Sequence, residues 1–216
     1  MIGAWWAWPA ALLLYALFRL WHDNWRGPLR PAEVAALMAR ATELAHSADG
    51  GKTDLAVLRA FLEADDGREF VMSNLVALHP QPVPHPETGL PTHAQTLLQR
   101  YVKGFLPVLL RTGGHPLLAL RKVGGYVDAW QTPPDPGWHL VGAMRYRSRR
   151  DMMRLAFHPD QQAAHPFKIA AIASTFSFPT QVVVAFALRP RSAVALVLAL
   201  GAALLHLTSL IRLLSP

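Results

Sequence analysis

The chain of 216 residues contains no cysteine, so a disulfide framework, a thiolate metal site and a cysteine nucleophile are all excluded. Charge is scarce as well. Asp, Glu, Lys and Arg make up 16% of the residues, against about 25% in an ordinary soluble domain. There is no phosphate-binding glycine loop, nucleophile elbow, paired-carboxylate motif or kinase signature, which lowers the expectation of catalysis. The ten histidines are scattered rather than spaced as metal ligands, and no metal site is expected. With 52% apolar residues the chain is too hydrophobic for disorder. The composition leans toward membrane.

Two uncharged runs carry that tendency. Ile2 to Phe18 is apolar throughout, and with Arg19, Leu20 and Trp21 it is expected to cross a hydrocarbon core of about 30 Å as a helix. Trp5, Trp6 and Trp8 at one end, and Trp21 and Trp25 at the other, read as interfacial anchors. A cleaved signal peptide fits poorly, because no basic residue precedes the run and no small-x-small site follows it. Ala193 to Ile211 reads as a second spanning helix. Ile169 to Leu188 is uncharged too, but Pro179 and several hydroxyl side chains favour a strand and a membrane approach. A helical hairpin turning at Arg189-Pro190-Arg191 is the alternative.

Arg19, Arg26 and Arg30 follow the first run, and Arg189 and Arg191 precede the second. The positive-inside rule then puts the central region in the cytoplasm of a bacterial cell and both termini in the periplasm, with two spans in the inner membrane. The formal charge of +7 suits anionic membrane lipids as partners. No recognition motif accompanies it, so nucleic acid is not expected.

The segments expected are a lead-in of two amphipathic helices (31–46 and 53–64) and then an α+β domain. Strands are read at 70–78, 115–123 (continuing through 126–130) and 138–146, and a last one at 175–178. Helices are read at 92–111 and from Arg149, the latter broken at His158-Pro159, recapped by Asp160 and continued over 161–173. This order is the split βαββαβ, ferredoxin-like arrangement. The divisions are 1–22 for the N-terminal anchor, 23–66 for the lead-in, 67–180 for the domain, and 181–216 for the membrane approach and C-terminal helix. One sheet face has no cover within such a domain and must find a partner.

The stretches DDGREFVMSNLVAL (65–78), YVKGFLPVLLRTGGHPLLALRKVGG (101–125) and WHLVGAMRYRSRRDMMRLAFHPDQQAAHPFKIAAIASTFSFP (138–179) resemble the dimeric α/β-barrel superfamily. The similarity is greatest to an uncharacterised bacterial branch whose domain has no settled function. His158-Pro159 stands where that branch has Asp-Pro. The resemblance implies a barrel completed by two subunits, hence a homodimer through the sheet face. Relatives include quinol-type monooxygenases and haem enzymes, but a shared fold does not transfer chemistry.

Asn74, Tyr101, Arg145, Tyr146 and His165 are the candidates for a cleft between sheet and helices. Ser148 and Arg149, at a helix start, are the candidates for an anion site; the plainer reading makes Ser148 an N-cap. His206 is a polar residue inside a spanning run, where such groups are costly. The spacing Ala202-x-x-x-His206 resembles the pigment-ligating turn of bacterial light-harvesting helices, which would imply haem or bacteriochlorophyll; otherwise no cofactor is expected. Gly201, Ala202, Ala203, Thr208 and Ser209 read as a helix-packing face. The expectation is a non-catalytic accessory subunit, with partners in a respiratory or photosynthetic membrane complex. A membrane-tethered enzyme for a quinone- or haem-like substrate is the alternative.

Overall fold

Asp54 accepts hydrogen bonds from the backbone N–H groups of Ala56 and Val57, and Ser148 does the same for Asp151. Each oxygen satisfies an otherwise bare donor in the first turn and so fixes where a helix begins. The computed structural model describes residues 4–47, 53–185 and 189–214. The elements in chain order are α1 (Ala7–His22), α2 (Pro31–Ser47), α3 (Leu55–Glu63), β1 (Phe70–Leu78), β2 (Val83–Pro84), β3 (Pro91–Thr92), α4 (Ala94–Arg111), β4 (His115–Arg121), β5 (Leu140–Tyr146), α5 (Arg149–Ala156), α6 (Pro159–Ala171), β6 (Ile172–Thr180) and α7 (Pro190–Leu214). They form two units, residues 26–181 and the two ends, 1–25 with 182–216.

In the central unit, four strands make one antiparallel sheet in the order β4-β5-β1-β6. With α4 between β1 and β4, and α5 and α6 between β5 and β6, this is the ferredoxin-like topology. The strand at 115–123 ends at Arg121, and 126–130 lies outside it, in the connection 122–139. β2 and β3 form a short ribbon in the proline-rich stretch 79–92. His158, not Asp160, caps α6, its ring accepting the Asp160 N–H. The described part of 169–188 is the end of α6, then β6, then irregular chain as far as 185; 186–188 lie outside the described residues.

Register decides which side chains share a face, because successive strand residues point to opposite sides. Phe70 lies opposite Tyr146 and Met72 opposite Met144. These residues, with Val76 and Leu78, pack under α4, α5 and α6 against Phe105, Val108, Leu109, Leu155, Leu97 and Phe167. The other face carries Leu75 and Ser73 on β1, Val141 and Ala143 on β5, Leu118 and Leu120 on β4, and Phe176 and Phe178 on β6. Among the described residues no helix of this unit covers it, and Phe176 remains 62% exposed. The lead-in helices belong to the same unit: Val34, Met38, Ala41 and Leu62 bury themselves against Met153 and Phe157 of α5.

Helices α4 and α6 approach closely at Gly104. A Cβ there would sit 2.7 Å from the Ala164 Cβ. Gly104→Leu is therefore expected to cost about 2–3 kcal/mol by overpacking, measured as a shift in thermal unfolding. A change of less than about 0.5 kcal/mol would contradict the packing described.

In the terminal unit, α1 and α7 run antiparallel. The Ala4 N–H donates to Ser209 Oγ (2.9 Å) at one end, and Arg191 Nε donates to Asp23 Oδ1 (2.8 Å) at the other. Arg19 and His22 also pair with Asp23. Among the described residues, one helix is long and apolar enough to cross a membrane, Pro190–Leu213, and almost none of it is buried in the protein. The N-terminal run does not reach that length. α1 has 16 residues, or about 24 Å, and begins at Ala7. Pro9 suits its first turn, Trp5 and Trp6 precede it, and Ile2 and Gly3 lie outside the described residues.

Candidate functional site

Tyr101 lies on α4 and His165 on α6, the helix pair that covers the sheet. Tyr101 packs into both core clusters of the sheet. Burial pushes its phenol up to about 12, although the Gln161 side chain hydrogen-bonds the hydroxyl. Gln161 is 6% exposed, and its Oε1 has no hydrogen-bond partner among the described residues. Lys168 Nζ lies 5.8 Å from the centre of the Tyr101 ring. Desolvation holds its ammonium below the usual range. Desolvation and the Lys168 charge together lower His165. Tyr146 stacks on Phe70, ring centres 5.3 Å apart, and burial raises its phenol, with Tyr101 nearby.

The structure thus gathers Tyr101, Tyr146 and His165, and adds Gln161 and Lys168. Gln161, His165 and Lys168 stand at i, i+4 and i+7, a polar stripe along one helix face, while Ala164, Phe167 and Ala171 bury the neighbouring stripe. Chemically the group offers an amine whose charged form desolvation disfavours, with an imidazole on the same helix face and a phenol ring nearby. A lysine desolvated without a carboxylate partner is a strain on the fold. Lys168→Met is expected to stabilise the domain by about 1 kcal/mol at pH 7. Because the folded state holds this proton less tightly, the gain should shrink as pH rises toward 10. Chemical denaturation at pH 7 and pH 9.5 checks both, and a loss of stability at pH 7 would contradict it.

Asn74 and Arg145 do not join this group. Asn74 lies on the helix side, but its Nδ2 donates to the Met72 carbonyl (2.9 Å) and the Gly142 carbonyl (3.3 Å), and its Oδ1 accepts from Ser177 Oγ (2.7 Å). Arg145 neighbours Tyr146 on a strand and so points to the opposite face. There, 3% exposed, it donates to Glu69 (2.5 Å) and to the Gly113 carbonyl (2.6 Å). The start of α5 is filled from within. Ser148 Oγ caps the Asp151 N–H and donates to its carboxylate (2.7 Å), which Arg147 holds with two further bonds. Desolvation opposes ionisation of Asp151, but Arg147 and Ser148 outweigh it and lower its pKa. Arg149 is bound to the Phe61 carbonyl and pairs with Asp65. These two residues make an internal clasp rather than an open anion site.

A hollow of about 520 Å³ opens at the end of β1 and the start of α4, lined by His79, His93, Gln95, Gln99 and His139 among others. The His139 Nδ1 accepts the Leu78 N–H (3.1 Å). Among the described residues, no group of three potential ligands could hold a metal ion.

In the terminal unit the His206 Nδ1 accepts the Trp8 indole N–H at 3.4 Å, and the Trp5 ring lies 4.4 Å from the imidazole centre. The His206 Nε2 is buried with no partner among the described residues. Ala202, 3% exposed, and Ser209 face α1, whereas Gly201, Ala203 and Thr208 are exposed. The packing stripe is therefore Ala202, His206 and Ser209, at helical spacing. Trp5 and Trp6 remain exposed, and Trp8 partly so. Trp25 donates its indole N–H to the Arg19 carbonyl (3.1 Å), and the Trp21 ring lies 6.0 Å from Phe18.

No protein-family model and no curated protein matches the chain. Among solved structures, it is similar to a protein of unknown function from Rhodopseudomonas palustris, with 23% identity, 63% of this chain and 97% of that chain covered, and a TM-score of 0.51. A methylated form of that protein gives 23% identity, 64% and 96% coverage, and the same TM-score of 0.51. A dimeric protein of unknown function and ferredoxin-like fold from Bacteroides fragilis is more remote, with 12% identity, 53% and 96% coverage and a TM-score of 0.35. The strand order carries the conclusion: the central unit is a ferredoxin-like domain.

Proposed function

We propose that the chain is a membrane-anchored, non-catalytic accessory subunit of a larger bacterial membrane complex, respiratory or photosynthetic in kind. The observation that carries the reading is the uncovered sheet face. Leu118, Leu120, Phe176 and Phe178 stand 44–62% exposed on one surface, while the helix side is filled by its own side chains. A domain built this way offers a surface rather than a pocket. A second copy of the chain is the occupant, as in the two-subunit barrels that the sequence resembles. The aliphatic side chains of α1 and α7 point outward, Leu12, Leu13, Leu17, Val197, Leu200 and Leu204 all being more than half exposed. That surface suits lipid, so the two helices insert as a pair. Arg19 and Arg191 at one end keep the central domain in the cytoplasm.

Gentle detergent extraction followed by native gel separation tests this. Migration far above the mass of a homodimer is expected. Migration as a dimer or monomer alone would count against the accessory role.

One observation favours a second reading, a membrane-tethered enzyme acting on a lipophilic quinone- or haem-like compound: the Tyr101, His165 and Lys168 group, with its depressed amine. Stabilisation of the extracted protein against heat by a quinone analogue, lost in Lys168→Met, would move the assignment there. The free His206 Nε2 similarly supports a pigment or haem ligand. An absorption spectrum without a Soret or near-infrared band would end that idea.

A further inference from the structure

The connection 122–139 between β4 and β5 is long for a strand-to-strand link, and its two parts differ. Its base is built. Lys122 N–H donates to the His139 carbonyl (2.9 Å), Lys122 pairs with Asp135, and the Trp138 indole N–H donates to Tyr126 Oη (2.7 Å). Trp138 is 8% exposed and packs on Phe176, ring centres 5.4 Å apart, so the base sits at the rim of the uncovered face. The tip is bare. Val123 is 89% exposed, Val127 103% and Trp130 82%. Gln131, at φ 50°, turns the chain back after Trp130.

We infer that residues 123–130 are an arm that each copy of the chain lays onto the sheet face of a second copy; this rests on the homodimer reading above. Area supports it. A stable interface removes about 800 Å² of accessible surface per partner. The face alone offers half-exposed side chains, Leu118, Leu120, Phe176 and Phe178, whereas Val123, Val127 and Trp130 are 82% exposed or more. Aromatics bury about 150–250 Å² each when covered, so the arm adds a large share of that area.

The absence of cysteine makes the test clean. Full-length Val127→Cys, its single thiol carrying a benzophenone label, is mixed as ¹⁴N and ¹⁵N protein in detergent and in lipid vesicles, then illuminated. Cross-links from position 127 to peptides 115–121 or 172–180 of the other isotopic copy are expected. The double variant Val127→Ser, Trp130→Ser should weaken dimerisation at least tenfold. Cross-links only to lipid, or only within one chain, would overturn the inference. If Phe176→Glu dissociates the dimer while the arm variant leaves its affinity unchanged, the arm fails and the homodimer stands. A wild-type chain that stays monomeric at every concentration removes both.

Discussion

Arg150→Met is expected to cost the central domain about 3 kcal/mol, the low end for breaking a buried pair because Glu33 keeps some solvent contact. Arg150 is 5% exposed. Its Nε and a terminal nitrogen each lie 3.0 Å from one Glu33 oxygen, and it donates to the Gly27 and Pro28 carbonyls at 3.2 Å. The side chain thus fastens the segment entering α2 to the first turn of α5. Methionine keeps the stem but strands two carbonyls and leaves the carboxylate only the Arg30 N–H and the exposed Arg26 as partners. The effect carries a pH signature. The Arg150 hydrogen bonds, with a smaller contribution from the Arg30 N–H and the Arg26 charge, lower Glu33 from its ordinary 4.5 to about 2. A depressed carboxylate stabilises the fold above its unfolded value, and that stability is lost as pH falls from about 4.5 to about 2. Chemical denaturation at pH 7 and pH 3 should therefore show wild type losing stability most of which Arg150→Met has already lost. Equal pH dependence in both proteins, or a cost below about 1 kcal/mol at pH 7, would contradict this account.

The second large effect concerns α7. Leu200→Arg with Leu204→Arg places two guanidinium groups near the middle of the apolar helix, on side chains 55% and 62% exposed. If that surface meets lipid, insertion loses about 2.5–3.5 kcal/mol per arginine, together roughly four powers of ten. Wild type is expected to resist alkaline carbonate extraction and the double variant to be released. Equal retention of both, or recovery of wild type in the soluble fraction, would contradict the membrane assignment. Conversely, the buried Ala202 faces α1, so Ala202→Leu should disturb the helix pair while leaving insertion intact.

Local signals made much of the fold readable. Ser148 and the acidic Asp151 three residues on gave the start of α5, and β1 follows from nine residues of strand formers. Order alone yielded the ferredoxin-like topology. Where the reading and the structure part, a partner residue explains it. Hydropathy counts the first run from Ile2, but α1 starts at Ala7, with Trp5 set beside His206. Arg145 and Tyr146 look like one motif, yet strand alternation sends them to opposite faces. The helix start with Ser148 and Arg149 looks anion-ready until Asp151, Asp65 and the Phe61 carbonyl occupy its donors. Gln161 and Lys168 escaped because polar residues on a helix ordinarily face water. Only the packing of α4 onto α6 shows that this stripe turns inward toward Tyr101.

The measurement nearest the central claim is affinity isolation of the full chain from gently solubilised native membrane, with quantitative mass spectrometry of what accompanies it. The account predicts near-stoichiometric recovery with the core subunits of one large membrane complex, the chain itself present in two copies. Recovery as a lone homodimer would contradict the accessory role and turn attention to Tyr101, His165 and Lys168 as the place where a substrate binds.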